Sequence, residues 1–247
     1  MKKGIKYSLI TVFVLLLIGL GSFFVWSQLT YEPSKELTTL VNVENIQHED
    51  DAVILQPKKS NGKGIILYPG AKVEPEAYSY YGKKLAEDGY FVAIPHVLLN
   101  FSIFDQNRAE DIIEKYDDIE EWYIGGHSLG GVSAASYAYK HSKEINGVIF
   151  LGSYPNESND FSEKELPMLS LYGELDGLST KKKIAQTHHL LSKGAVVREI
   201  KGGNHAQFGL YGKQKGDNKA TITPKQQQDE MVRVTKEWLQ KVSLKDD

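Results

Sequence analysis

The chain has 247 residues, 41% of them hydrophobic and 11% aromatic, enough for one α/β domain with a real core and unlike a disordered composition. Its formal charge is −3; the first 29 residues hold three lysines and no acid, so the rest carries about −6, which argues against a nucleic-acid-binding surface. Cysteine is absent, which removes disulfides, thiolate metal sites and a cysteine nucleophile.

Lys2, Lys3 and Lys6 precede an uncharged apolar run at 9–26, 18 residues long. As a helix at ~1.5 Å per residue it would span ~27 Å, close to the ~30 Å hydrocarbon core of a bilayer. It is longer than the apolar region of a signal peptide, about 7–15 residues, and its one small-x-small site is Gly19-Leu20-Gly21. Residues 1–29 therefore read as an uncleaved membrane anchor, with secretion after cleavage as the alternative. The lysines predict a cytoplasmic N-terminal end and an extracytoplasmic domain. Without a cysteine there is no lipoprotein anchor. Residues 30–51, polar and aperiodic apart from Leu37, Leu40, Val41 and Val43, read as a juxtamembrane linker into a catalytic domain at 52–247.

Apolar strands are expected at 52–55, 65–68, 91–94, 122–125, 147–151, 168–172 and 196–200. Helical patterns fall between them at 75–88, 105–116, 129 to about 141 and 180–191. Thr223 reads as the cap of a final helix, with Pro224 at its first position, Gln226 completing a capping box, and Met231, Val234, Trp238 and Leu239 inward. Short apolar strands separated by helices predict an α/β fold: a mostly parallel central sheet with helices on both faces and one transmembrane helix before it. In such sheets ligands bind at the carboxyl ends of the strands.

One of those ends carries Gly126-His127-Ser128-Leu129-Gly130. A serine on a sharp strand-to-helix turn needs tiny residues two positions away on either side, because the strand and helix backbones nearly touch there. Gly131, Ala134, Ala135 and Ala138 then give the following helix a thin face. Ser128 is the expected nucleophile. A serine hydroxyl needs a base, and His205 stands in the loop after the last strand, Gly203-Asn204-His205. Asp176, after the strand at 168–172, is the expected acid that orients it, with Glu174 its rival. The backbone N–H of Leu129 and that of Ala71, after Pro69-Gly70, are the expected oxyanion donors. Gly70, His127, His96, Leu98 and Phe101 are the expected substrate-binding positions. The apolar segment 96–104 reads as an acyl-pocket wall, with plain core packing as its alternative.

Tyr68-Pro69-Gly70-Ala71, the 125–131 elbow, Tyr172-Gly173-x-x-Asp176 and Gly203-Asn204-His205 resemble the α/β-hydrolase superfamily. Within it, the chain is similar to the compact bacterial esterase-like hydrolases that are often membrane-anchored or secreted, over roughly residues 52–243. That resemblance implies a serine hydrolase working through an acyl-enzyme, without metal or organic cofactor. Two departures matter. There is no His-Gly-Gly-Gly oxyanion motif, and the segment 152–167 is too short for a full lid domain, which points to accessible acyl esters rather than lid-gated triglycerides. The expectation is an extracytoplasmic esterase or thioesterase acting on a small ester or acyl substrate, touching the membrane through its N-terminal helix and no nucleic acid. An amidase, peptidase or acyltransferase could use the same triad. A non-catalytic binding protein is the third reading, and the complete triad argues against it.

Overall fold

The fold was obtained as a computed structural model, which describes residues 2–41, 46–49 and 52–244. Val43 and Asp50, read with the linker, and the last three residues of the domain expected at 52–247 lie outside the described residues. The helices are α1 Lys2–Ser27, α2 Lys35–Leu40, α3 Ser79–Ala86, α4 Arg108–Lys115, α5 Leu129–Lys140, α6 Lys181–Thr187 and α7 Pro224–Ser243. The strands are β1 Gln47–Glu49, β2 Ala52–Leu55, β3 Lys63–Tyr68, β4 Phe91–Pro95, β5 Glu121–His127, β6 Ile145–Leu151, β7 Met168–Gly173 and β8 Val196–Ile200.

All eight strands form one sheet in the order β1-β2-β4-β3-β5-β6-β7-β8. The β1–β2 and β2–β4 pairs are antiparallel; every pair from β4 to β8 is parallel. Side chains alternate across the pleat, so Ile65 and Leu67 enter the core under α3 and α7 while Ile66 and Tyr68 pack toward α4 and α5. With both faces covered, β4 is buried along its whole length and β3 is buried beyond Lys63. The capping box of α7 forms as its sequence predicts: Gln226 N–H donates to Thr223 Oγ1 at 3.2 Å, and Gln226 Oε1 accepts the Thr223 N–H at 2.8 Å.

The structure departs from the sequence expectations in four places; the helix expected at 75–88 opens as a 3₁₀ turn, Pro75–Tyr78, and is α-helical only over Ser79–Ala86. The helix expected at 105–116 begins at Arg108, because the Asp105 carboxylate accepts the Leu98 N–H at 3.2 Å and the chain before it turns twice, at Leu98–Asn100 and Ser102–Phe104. The helix expected at 180–191 ends at Thr187 and tightens into a 3₁₀ turn, His188–Leu190. The stretch read as a polar linker is folded onto the domain. Leu37 is fully buried, Val41 and Ile46 join the same core, and Tyr31 forms a parallel bridge with Val73. Tyr31 N–H donates to Lys72 O at 2.6 Å, and Ser34 N–H to Leu210 O at 2.7 Å. The few apolar residues of this stretch give no period, yet Leu37, Leu40 and Val41 pack into the core that includes α3.

In α1 the stretch Gly4–Ser27 is long and apolar enough to cross a membrane; its most apolar 18-residue window has a mean hydropathy of 2.5, and none of that window is buried. Its C-terminal turn touches the domain through Phe23, Trp26 and Ser27.

Candidate active site

β5 runs directly into Ser128, which sits at φ 52°, ψ −120°. A non-glycine residue pays on the order of 1–3 kcal/mol for such a conformation and keeps it only where its surroundings over-determine it. Here they do. Ser128 N–H donates to Leu151 O at 3.1 Å, and Ser153 Oγ donates to Ser128 O at 2.6 Å. Crowding explains the glycines: a Cβ on Gly126 would lie 2.2 Å from the Gly130 carbonyl carbon, and one on Gly130 would lie 2.2 Å from Tyr68 O. The turn delivers the serine to the N-terminus of α5, where the Leu129 N–H has no intrahelical partner and the helix dipole is positive.

His205 and Asp176 meet in the interior. His205 Nδ1 lies 2.8 Å from Asp176 Oδ2, with both side chains fully buried. The other carboxylate oxygen accepts the N–H groups of Leu178 at 2.8 Å and Ser179 at 2.6 Å. A carboxylate only accepts, so Nδ1 carries a proton, and in the neutral imidazole the lone pair then sits on Nε2. That Nε2 is buried and has no hydrogen-bond partner among the described residues. The rival acid, Glu174, accepts the Gly202 N–H at 2.8 Å and so braces the base of the histidine loop.

Two residues that brace this pair escaped the sequence reading. Asp217 accepts the Gly177 N–H at 3.0 Å and the Ala206 N–H at 2.8 Å, joining the aspartate loop to the histidine loop. Gln227 of α7 clasps Asn204 at both ends, accepting its N–H at 2.9 Å and donating to its carbonyl at 2.8 Å. Gln227 had left a signal: it precedes Met231 by one turn on the inward stripe, where a polar residue needs a partner. Asp217, in an irregular polar loop, had left none.

On the other side of the serine, Gly70 N–H donates to the Tyr78 hydroxyl at 2.9 Å, and that hydroxyl lies 2.9 Å from His127 Nδ1. His127 is fully buried, and burial, then the nearby His205, hold its imidazole well below the ordinary histidine range, so it is neutral. Burial likewise pushes the Tyr78 phenol up, and it stays protonated. With Gly70 engaged, Lys72 N–H donating to Asn100 O at 2.7 Å and Val73 N–H to Gly70 O at 3.1 Å, the loop is held on both sides of Ala71. The Ala71 N–H itself makes no hydrogen bond among the described residues. The His127 and His205 rings stand 4.5 Å apart, which brings the elbow, the histidine loop and the Gly70 loop to one place at the carboxyl end of the sheet.

A model of the alpha/beta hydrolase family matches residues 64–229, the span from β3 through this site into α7. The chain belongs to the alpha/beta hydrolase family. Among solved structures this hydrolase is similar in fold to Est1E from Butyrivibrio proteoclasticus, at 16% identity, TM-score 0.57, over 78% of this chain and 97% of that one. It is also similar to a thermophilic esterase from Thermogutta terrifontis, at 13% identity, TM-score 0.57, over 80% and 97%. The likeness to a bacterial membrane phospholipase A has 13% identity and TM-score 0.61 over 96% of this chain and 99% of that one, a span that includes most of α1. No curated protein matches the chain.

The positions expected from the sequence to bind substrate part company in this alpha/beta hydrolase. Gly70 and His127 stand at the elbow. His96 does not join them: its Nε2 lies 3.8 Å from Glu76 Oε1 and it is 41% exposed. Leu98 is 57% exposed, and Phe101 stacks on Trp26 of α1 with ring centroids 5.6 Å apart. Away from the serine, His48, Glu76 and His96 each place one possible metal-ligating atom within 4.8 Å of the others. A cleft of about 690 Å³ follows the outer side of the histidine loop, lined by Ser34, Asn204, Gln207, Lys213 and Pro224 among others, and does not reach Ser128.

Proposed function

We propose that the chain is a serine hydrolase that cleaves carboxylic esters or thioesters through an acyl-serine intermediate, tethered by α1 with its catalytic domain on the extracytoplasmic side. Ser128 Oγ attacks the acyl carbon as His205 Nε2 takes its proton. Asp176 holds the imidazole in the Nδ1–H tautomer and offsets the charge of the imidazolium. The N–H groups of Leu129 and Ala71 receive the oxyanion of the tetrahedral intermediate, which collapses as His205 returns the proton to the leaving alcohol or thiol. Water activated by the same imidazole then releases the acid. The lysines ahead of the apolar run support the orientation, since positive charge favours the cytoplasmic side.

The observation that carries this reading is a buried imidazole whose Nδ1 is committed to a carboxylate and whose Nε2 has no partner, beside an elbow that spends backbone strain to present a serine. A fluorophosphonate probe tests it. The wild-type protein should be labelled, and Ser128→Ala and His205→Ala should not. A folded wild type that stays unlabelled, or label retained by Ser128→Ala, would refute the assignment.

A further inference from the structure

Apolar surface is not scattered over this molecule. Outside α1, the large apolar side chains left exposed among the described residues are Leu29, Leu98, Ile103, Phe104 and Leu244. Four of these five gather where α1 meets the domain. Leu29 lies two residues beyond the end of α1, and the other three lie on the two turns of residues 98–104 that pack against that end. Phe101 stacks 6.1 Å from Phe23 and 5.6 Å from Trp26, and Phe104 meets Phe23 edge-on at 6.3 Å. Asn100 Nδ2 donates to Ser27 O at 3.0 Å, and Lys72 Nζ lies 4.1 Å over the Trp26 ring. A contiguous exposed apolar patch marks a contact surface. Aromatic rings with a lysine beside them are what the boundary between acyl chains and water selects.

The same turns border the candidate site. Lys72 N–H, next to Ala71, donates to Asn100 O at 2.7 Å, and Ser133 Oγ of α5, one turn beyond the nucleophile, donates to Ser102 Oγ at 2.9 Å. Leu99 and Asn100 are consecutive non-glycine residues at φ 55° and 60°. Such a turn costs free energy and persists where its neighbours hold it, here α1 through Ser27 and the Ala71 loop through Lys72. The segment is built to join the end of the apolar helix to the loop over the serine.

We infer that residues 98–104, with Leu29, form a lip seated in the boundary layer of the leaflet from which α1 emerges, so that the site takes the acyl ester of an amphiphilic lipid directly from that leaflet. The inference rests on the proposed anchor and nucleophile, and names where their substrate comes from. It accounts for an apolar segment after a strand end that neither fills the core nor meets the catalytic imidazole. It also gives Lys72 a role, as a cation at headgroup level beside the oxyanion loop.

The test uses the full chain in vesicles of phosphatidylcholine and phosphatidylglycerol. Because cysteine is absent, single-cysteine variants carry one environment-sensitive dye each: Leu16→Cys in α1, Ile103→Cys in the lip, and Lys193→Cys on an exposed side chain elsewhere. Dyes at 16 and 103 should shift to the blue and be quenched by nitroxide on lipid acyl chains; the dye at 193 should be quenched from water. A dry 16 with a wet 103 overturns the lip and leaves the anchor standing; a wet 16 overturns both. In activity, Ile103→Asp with Phe104→Asp should lower hydrolysis of a long-chain ester dispersed in the vesicles about tenfold, the scale of losing one buried apolar side chain, and leave a soluble short-chain ester within about twofold. Unchanged vesicle activity, or equal loss on both esters, counts against the lip. If the wild type turns over neither ester, the function proposal fails, and the depth readings still decide where the lip lies.

Discussion

The Tyr78 hydroxyl, 2.9 Å from His127 Nδ1, ties the loop after β3 to the end of β5 by accepting the Gly70 N–H at the same distance. With the Gly70 N–H donating into it, the hydroxyl keeps its own proton and a second lone pair for the contact with the neutral His127 ring, and the His127 tautomer sets which of the two donates. Tyr78→Phe strands two buried polar groups. It should cost about 1–3 kcal/mol in urea unfolding. It should also lower kcat more than it raises KM, because the loop it frees carries Ala71, the proposed oxyanion donor.

Burial of neutral His127 also sets an acid limit on stability. The unfolded chain titrates this histidine near 6.5, whereas the folded state refuses the proton. Its contribution is therefore fully present above 6.5 and declines as pH falls below it, by about 1.4 kcal/mol per unit for one proton. Urea midpoints from pH 7 down to 5 measure the slope. His127→Gln should flatten it, and an equal slope in that variant would assign the acid sensitivity elsewhere.

Asp176 and Asp217 should separate chemistry from scaffolding. Asp176→Asn keeps the shape but offers Nδ1 the wrong tautomer, and kcat for a soluble ester should fall about 10⁴-fold with little change in thermal midpoint. Asp217→Ala unties the Gly177 and Ala206 amides, so both the midpoint and kcat should fall. Steady-state kinetics beside a thermal melt distinguish the two patterns.

The elbow glycines should tolerate nothing larger. Gly130→Ala drives a methyl into Tyr68 O, a backbone atom that cannot swing away, and should abolish soluble expression. Gly194→Ala meets nothing within 4 Å and should leave stability within about 0.5 kcal/mol. Expression yield and a melt of the two variants settle the comparison.

How far the sequence foretold this molecule depended on the range of the forces involved. Strands such as Val196–Ile200, the capping box at Thr223 and the elbow are written in neighbouring residues, and each forms as read. Asp217 and Tyr78 act by hydrogen bonds to amides or rings from distant stretches; Tyr78 and His127 are 49 positions apart, and no local pattern announces such a pair. The segment 96–104 was legible as apolar, but not which apolar partner it served. Its neighbour is α1, some 70 positions earlier, as in the 73-residue separation between Ser27 and Asn100. Residues 30–41 looked like tether because Leu37, Leu40 and Val41 among polar residues give no phase. They are in fact locked down at Tyr31, Ser34 and Leu37.

That lock has a consequence for encounter kinetics. A catalytic head on a slack tether tumbles and meets substrate by three-dimensional diffusion. This head is fastened to α1 within a few residues of the helix end, at Tyr31 and through Asn100. With α1 in a bilayer it would keep one face toward the surface and search in two dimensions, at a rate governed by the mole fraction of substrate in the leaflet rather than its bulk concentration. Diluting the leaflet with inert lipid would slow such an enzyme; diluting the vesicles in buffer would not.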